Sequence, residues 1–156
     1  MRMTKLVKCA ALGIAALGIL ALAGCGQQAA KGEKTYKVGI VQLVEHSSLD
    51  DANRGFVDGL KERGYEEGKN LTIDRQNAQA DQSNLQNIVQ RFISDKVDLI
   101  CAIATPAVQS AANATKDIPI VGTAVTDYVS AKVVKSNDAP GGNVTGTSDL
   151  TPIAEQ

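Results

Sequence analysis

The stretch VDLICAIATPAVQSAANA, residues 97–114, decides the fold of this chain. Val97 to Ala104 is almost continuously apolar, which is typical of a strand buried on both faces of a parallel sheet. Thr105 and Pro106 follow at once. They favour a helix start, because threonine is a common N-cap and proline is tolerated in the first helical turn. The small residues that follow continue as a helix, so this stretch predicts one strand and one covering helix.

The same alternation extends in both directions along the chain. The polar side chains of residues 70–77 place that strand near an edge of the sheet. Short links between strands and helices predict an α/β fold, a parallel sheet with helices on both faces. The apolar patterns predict strands at 36–44, 70–77, 97–104, 118–122 and 143–147, helices from Ser47–Ser48 to Gly64, from Asp81 and after Thr105, and one or two helical turns at 128–134.

Composition limits the function. Residues 1–24 contain three of the 16 basic residues and none of the 17 acidic ones, so the rest of the chain has 13 basic and 17 acidic residues. This weak negative charge offers no basic surface to nucleic acid. Cys101 lies inside an apolar strand, and we expect it to be buried as a free thiol.

The first 24 residues have the pattern of an export signal. Arg2, Lys5 and Lys8 precede an apolar run at 10–23 that is shorter than the roughly 20 residues of a comfortable membrane span. Leu22-Ala23-Gly24-Cys25 resembles the lipobox of bacterial lipoproteins, which implies cleavage before Cys25 and lipid attachment to its sulfur. An ordinary cleaved signal or a short uncleaved anchor are the alternatives. We therefore expect a signal at 1–24, a flexible lipid-anchored tether at 25–35 and a folded lobe at 36–156, held on the extracytoplasmic face of the cell membrane.

Polar residues follow the strands at the ends where parallel sheets bind ligands. The helix starts at Ser47–Ser48 and Thr105 offer N–H groups and hydroxyls that suit a carboxylate. Ser47 and Ser48 also fit a capping box with the acidic residues that follow, and plain capping is the alternative for all three hydroxyls. Asp127, after Thr126, and Asp149 are candidates to hold an ammonium group, or else cap or lie solvated.

Several kinds of site are excluded. His46 is the only histidine and has no cysteine nearby, so it is a poor metal ligand. The His-Ser-Asp grouping at 46–50 lacks the spacing of a catalytic triad. The phosphate-binding patterns G-x-x-x-x-G-K-[ST] and G-x-G-x-x-G do not occur, so we expect neither an enzyme nor a cofactor.

Three segments resemble the solute-binding proteins of bacterial ABC importers, in the group that includes tryptophan- and tyrosine-type binders. They are GIVQLVEHSSLDDANRGFVDGL from Gly39, AIATPAVQSAANATKDIPIVGTAVTDYV from Ala102 and GGNVTGTSDLTPIAEQ from Gly141. The resemblance implies one lobe of a periplasmic-binding-protein type I-like fold. It also implies an amino-acid-like ligand, delivered to a permease and its ATPase. The ligand-facing loops of the family match Ser47, Ser48, Thr105, Pro106, Ala107, Thr126, Asp127 and Asp149.

The chain departs from this family in two ways. Tyr128 stands where a common form of the family has proline after the aspartate, and family members are about twice as long, with a second lobe. We therefore expect a chain truncated to the N-terminal lobe. The alternative function is an extracellular ligand-sensing domain of a signalling system with the same fold. A flavodoxin-like enzyme is a third and weaker alternative.

Overall fold

The computed structural model describes residues 34–149, which form one α/β lobe. The signal and the lipobox predicted at 1–25 lie outside these residues. The sheet is entirely parallel, with strand order β2-β1-β3-β4-β5. The elements are β1 Tyr36–Gln42, α1 Ser47–Glu62, β2 Leu71–Asn77, α2 Gln82–Ser94, β3 Leu99–Ile103, α3 Thr105–Ala114, β4 Ile120–Val125 and β5 Val144–Ser148.

Helices cover both faces of the sheet, as the sequence predicts. Alternate residues of each strand point to opposite faces, and two apolar clusters result. The larger cluster packs α2 and α3 on one face around Phe92, Ile100 and Val108. The smaller cluster packs α1 on the other face against Ile40 and Cys101. The prediction that Cys101 is a buried free thiol is confirmed.

The helices start where predicted, but two of their N-cap residues differ from those predicted. The N-cap of α1 is His46, whose Nδ1 accepts a hydrogen bond from the Ser48 N–H at 3.3 Å. The N-cap of α3 is Ala104, which has no side chain able to cap, and Thr105 is the first helical residue. The capping roles predicted for Ser47, Ser48 and Thr105 are therefore wrong. The predicted start of α2 is confirmed, because the Asp81 carboxylate accepts from the Asn84 N–H at 2.8 Å.

Tyr128 packs over a pair of glycines, which we call the glycine slot. Gly122 in β4 and Gly146 in β5 are register partners. A Cβ atom added to Gly122 would lie 2.5 Å from the Tyr128 hydroxyl, and one added to Gly146 would overlap the same hydroxyl. The phenol therefore occupies space that any larger residue would fill. Residues 128–132 form overlapping hydrogen-bonded turns, in which the Ala131 N–H donates to the Asp127 carbonyl, the Lys132 N–H to the Val129 carbonyl and the Val133 N–H to the Tyr128 carbonyl.

No helix within residues 34–149 is long and apolar enough to cross a bilayer.

Candidate ligand-binding site

The predicted site residues lie along one edge of the sheet, which we call the carboxyl edge. It consists of the segments that directly follow β1, β3, β4 and β5. These four strands are consecutive neighbours in the sheet, so their carboxyl ends span about 14 Å at the usual strand spacing. The edge therefore brings together Ser47–Ser48, Thr105–Pro106, Thr126–Asp127 and Asp149, although these are distant in sequence.

A polar network holds the first of these segments in place. Gln42, at the end of β1, is 4% exposed. Its side-chain amide donates to the Val44 carbonyl at 2.9 Å and to the Asp50 carboxylate at 2.6 Å. Its carbonyl oxygen accepts from the Asn53 side chain at 3.2 Å. The network joins the strand end to the first two turns of α1, so the loop between β1 and Ser47, the first residue of α1, is anchored on both sides.

The hydroxyls of the carboxyl edge are available to a ligand. Ser47 and Ser48 are exposed, and Thr105 is half-buried. None of these hydroxyls makes a hydrogen bond within residues 34–149, since His46 and Ala104 cap the two helices instead. In the first turns, the N–H groups of Ser47 and Thr105 have no acceptor within residues 34–149, whereas the Ser48 N–H already donates to His46 and Pro106 has no N–H. Hydroxyls and amides of this kind bind anions such as a carboxylate.

The two other residues predicted beside Thr105 lie within α3. Pro106 occupies the first turn and is half-buried. Ala107 is fully buried in the larger apolar cluster, and its N–H donates to the Ala104 carbonyl at 3.1 Å. The side chain of Ala107 therefore packs in the core and offers the carboxyl edge no contact.

Asp127 caps the turn that follows it. One carboxylate oxygen accepts from the Val129 N–H at 2.8 Å and from the Ser130 N–H at 2.9 Å. These hydrogen bonds, chiefly that from Ser130, lower the pKa of Asp127 below its usual value of 3.8. Of the alternatives that the sequence leaves open, capping is therefore the one that the geometry displays for Asp127.

Asp149 is exposed, and its carboxylate has no hydrogen-bond partner in the described part of the chain. Its backbone N–H donates to the Val125 carbonyl at 3.0 Å. Beside it, the Ser148 hydroxyl donates to the Thr126 carbonyl at 2.6 Å. The ends of β4 and β5 are thus joined, which places Asp149 beside Thr126–Asp127 with its carboxylate open to solvent.

One strained residue lies at this edge. Ala104, directly after β3, has φ 84° and ψ 153°, a region that is essentially restricted to glycine. Ala124, near the end of β4, also has positive φ, whereas Lys96 with φ 53° lies before β3 at the other end of the sheet. Strained residues cluster at ligand sites, so Ala104 favours the carboxyl edge as the functional part of the lobe.

The described residues offer neither a reactive thiol nor a cluster of metal ligands. Burial raises the pKa of the Cys101 thiol to about 12, so it is a poor nucleophile. No group of three or more His, Cys, Asp or Glu side chains between residues 34 and 149 could hold a metal ion. The carboxyl edge therefore offers hydrogen bonds and charge to a ligand.

The family assignment follows from comparison with known proteins. The family model for ABC transporter substrate binding proteins matches residues 37–156. The chain belongs to this family. Its members are solute-binding proteins and not enzymes, which agrees with a site made of donors and acceptors. The fold is one lobe of the type I-like periplasmic binding proteins.

Three relatives illustrate the similarity. A curated tyrosine-binding protein from Clostridioides difficile is 51% identical over 147 residues, which cover 88% of this chain and 43% of the relative. A ligand-free, open structure of a Clostridium difficile substrate-binding protein with adhesive properties has a TM-score of 0.75 and 53% identity, over 76% of this chain and 40% of that one. An ABC domain from Streptococcus pneumoniae in complex with L-Trp has a TM-score of 0.71 and 43% identity, over 74% and 39%. The chain thus spans less than half the length of these relatives.

The sequence contained a signal for the Gln42 network, which our prediction missed. Gln42 is a polar residue inside the apolar run VGIVQLV at 38–44. A buried polar side chain needs hydrogen-bond partners, and Asp50 and Asn53 follow within the next helix. The strain at Ala104 has no comparable signal in the sequence, because alanine carries no preference for positive φ.

Proposed function

We propose that this chain is the substrate-binding part of an ABC importer for an amino acid, with an aromatic amino acid as the first candidate. One observation carries the proposal: relatives at 51% and 43% identity are a tyrosine-binding protein and a domain with L-Trp bound. The family model, which matches residues 37–156, covers the whole carboxyl edge.

The chemistry of recognition follows from the groups on the carboxyl edge. The ligand carboxylate accepts hydrogen bonds from the hydroxyls of Ser47, Ser48 and Thr105 and from the N–H groups of Ser47 and Thr105. The ligand ammonium forms a charge-assisted hydrogen bond with Asp149. Asp149 is a better partner than Asp127, because one oxygen of Asp127 already accepts two backbone N–H groups.

Titration of the chain with amino acids, followed by NMR chemical shifts, tests the ligand. We expect L-Tyr or L-Trp to shift the amides of Ser47, Thr105 and Asp149. Affinity in this lobe is expected to be lower than in an enclosed site, because small-molecule sites usually bury most of the ligand surface. Asp149→Asn should weaken binding about tenfold or more, since it removes the charged partner. Asp127→Asn is the matched control and should change affinity little. If none of the amino acids shifts these amides, the ligand class is wrong.

The location of the protein is a second part of the proposal. Attachment of lipid to Cys25 would hold the lobe at the extracytoplasmic face of the membrane through residues 25–35. Metabolic labelling with a fatty acid in a bacterial host tests this. We expect label and membrane association in the wild type, and neither in Cys25→Ser. A labelled Cys25→Ser variant, or an unlabelled wild type, contradicts lipidation at this residue.

Delivery to a permease and its ATPase is the third part. Crosslinking in membranes that contain the cognate ABC permease should join the two proteins. A gene neighbourhood with a sensor kinase and no permease would instead favour the alternative function of ligand sensing. The family model supports the transporter, because its description names that system.

A further inference from the structure

The glycine slot connects Tyr128 to Asp149. Gly122 and Gly146 face the same side of the sheet as Val108, and a Cβ atom on Gly122 would lie 2.9 Å from both the Tyr128 ring and Val108. The ring of Tyr128 therefore lies directly on the backbone of β4 and β5. Tyr128 is 5% exposed, and burial is the main cause that raises its pKa to about 12.

The hydroxyl of Tyr128 reaches β5 near its carboxyl end. It donates to the Thr147 carbonyl at 3.1 Å, two residues before Asp149. Other hydrogen bonds hold the same short segment: the Thr147 hydroxyl donates to the Thr123 hydroxyl at 3.4 Å, Ser148 donates to the Thr126 carbonyl, and the Asp149 N–H donates to the Val125 carbonyl. Among these four hydrogen bonds, only the one from Tyr128 is made by a side chain that is itself packed in the core.

We infer that Tyr128 is a positioning residue for Asp149, acting through the Thr147 carbonyl, and thus sets the place of the carboxylate that binds the ligand ammonium. The part about the ammonium rests on the proposed function. Tyr128 is also the residue that stands where a common form of the family has proline after the aspartate, so its hydrogen bond gives this difference a role. This role also accounts for Gly122, where a side chain would expel the ring, while a side chain on Gly146 would overlap the Gly122 carbonyl as well as the Tyr128 hydroxyl.

Tyr128→Phe is the sharpest variant, because it keeps the ring in the glycine slot and removes only the hydrogen bond to Thr147. Tyr36→Phe is the matched control: Tyr36 begins β1 at the opposite edge, where its ring contacts Tyr65. Amide hydrogen exchange in the ligand-free chain gives the first measurement. We expect the Asp149 N–H to exchange about five- to tenfold faster in Tyr128→Phe and to be unchanged in Tyr36→Phe.

The second measurement separates positioning from general stability. Affinity is compared for an aromatic amino acid and for the same molecule without its amino group. Positioning of Asp149 predicts that Tyr128→Phe weakens binding of the amino acid about fivefold and leaves binding of the deaminated analogue unchanged. An equal loss for both ligands means that Tyr128 only stabilises the lobe, and this overturns the inference.

The exchange experiment stands without any ligand. Unchanged exchange at Asp149 in Tyr128→Phe overturns the inference, whatever the ligand data show. Faster exchange in a chain that binds no amino acid supports the link from Tyr128 to Asp149 and contradicts the proposed function alone. The two failures can therefore be told apart.

Discussion

The side-chain amide of Gln42 donates to the Asp50 carboxylate at 2.6 Å and thereby ties the end of β1 to the first turn of α1. Gln42 is buried, while Asp50 is only half-buried. The amide thus supplies a partner to a carboxylate that is partly removed from water. This hydrogen bond helps to fix the first turn of α1, which carries Ser47 and Ser48, so its loss should affect both the stability of the lobe and the carboxyl edge.

Gln42→Ala should lower the free energy of unfolding by about 1–3 kcal/mol, because it leaves the Asp50 and Asn53 side chains without their partner. Urea denaturation measures this loss. The control is Gln86→Ala, an exposed position of α2, where a surface change is expected to stay within about 0.5 kcal/mol. Equal effects of the two substitutions would show that the network adds nothing to stability.

Gly39→Ala should destabilise the lobe by about 1–3 kcal/mol, the usual cost of overpacking a core. Its Cβ atom would lie 2.6 Å from the ring of Phe92, which packs α2 against β1. Gly55→Ala is the matched control, since nothing lies within 4 Å of its added Cβ. As an alanine in the middle of α1, it should stabilise by about 0.5–1 kcal/mol. Thermal unfolding of both variants should therefore shift in opposite directions.

Asp127 should contribute to the acid sensitivity of the lobe. Its pKa in the folded state is lowered by the Ser130 and Val129 amides, so its stabilising effect is present above its ordinary pKa of 3.8 and is lost as the pH falls through the lower folded value. In Asp127→Asn the side chain can still cap but no longer titrates. Urea midpoints measured from pH 7 to pH 2.5 should therefore fall less steeply in this variant. An unchanged slope would contradict the role of this carboxylate.

Cys101 should resist alkylation in the folded lobe. Burial raises the pKa of its thiol from 9.0 to about 12, and the thiolate is the reactive form. Iodoacetamide at pH 8, with peptide-resolved mass spectrometry, should leave Cys101 unmodified in buffer and modify it in urea. Because the folded state disfavours the thiolate, stability should also decline as the pH rises above 9. Rapid modification in buffer would show that the core is open at β3.

Much of the fold was predictable because apolar runs and helical periods are local signals. All five strands and the three helices lie where the sequence predicts them, and the fold class is confirmed. The bounds of β4 are the main error: the strand was predicted at 118–122 and lies at Ile120–Val125. Pro119 has no N–H for the sheet ladder, and the register shift after Gly122 lets the strand continue to Val125.

The carboxyl edge was predictable as a place, but its details were not. Topology alone brings Ser47, Thr105 and Asp149 to one edge, so the sequence could identify them as candidates. The caps were wrong because a histidine side chain and a strained alanine took the positions where hydroxyls were expected. The glycine slot depends on the register of β4 and β5, which no local pattern in the sequence specifies.

The strand order also affects how the chain can fold during its synthesis. Among the described strands, β1 is synthesised first, yet it lies between β2 and β3 in the sheet. Val38 can therefore pair with Leu99 only after β3 has been synthesised. At ordinary rates of synthesis this delay is roughly 3 to 12 seconds, during which β1, whose last five residues are buried in the folded lobe, has only one partner strand or none. A chaperone that holds nascent chains should therefore bind the segment 36–44 and release it once β3 has been translated.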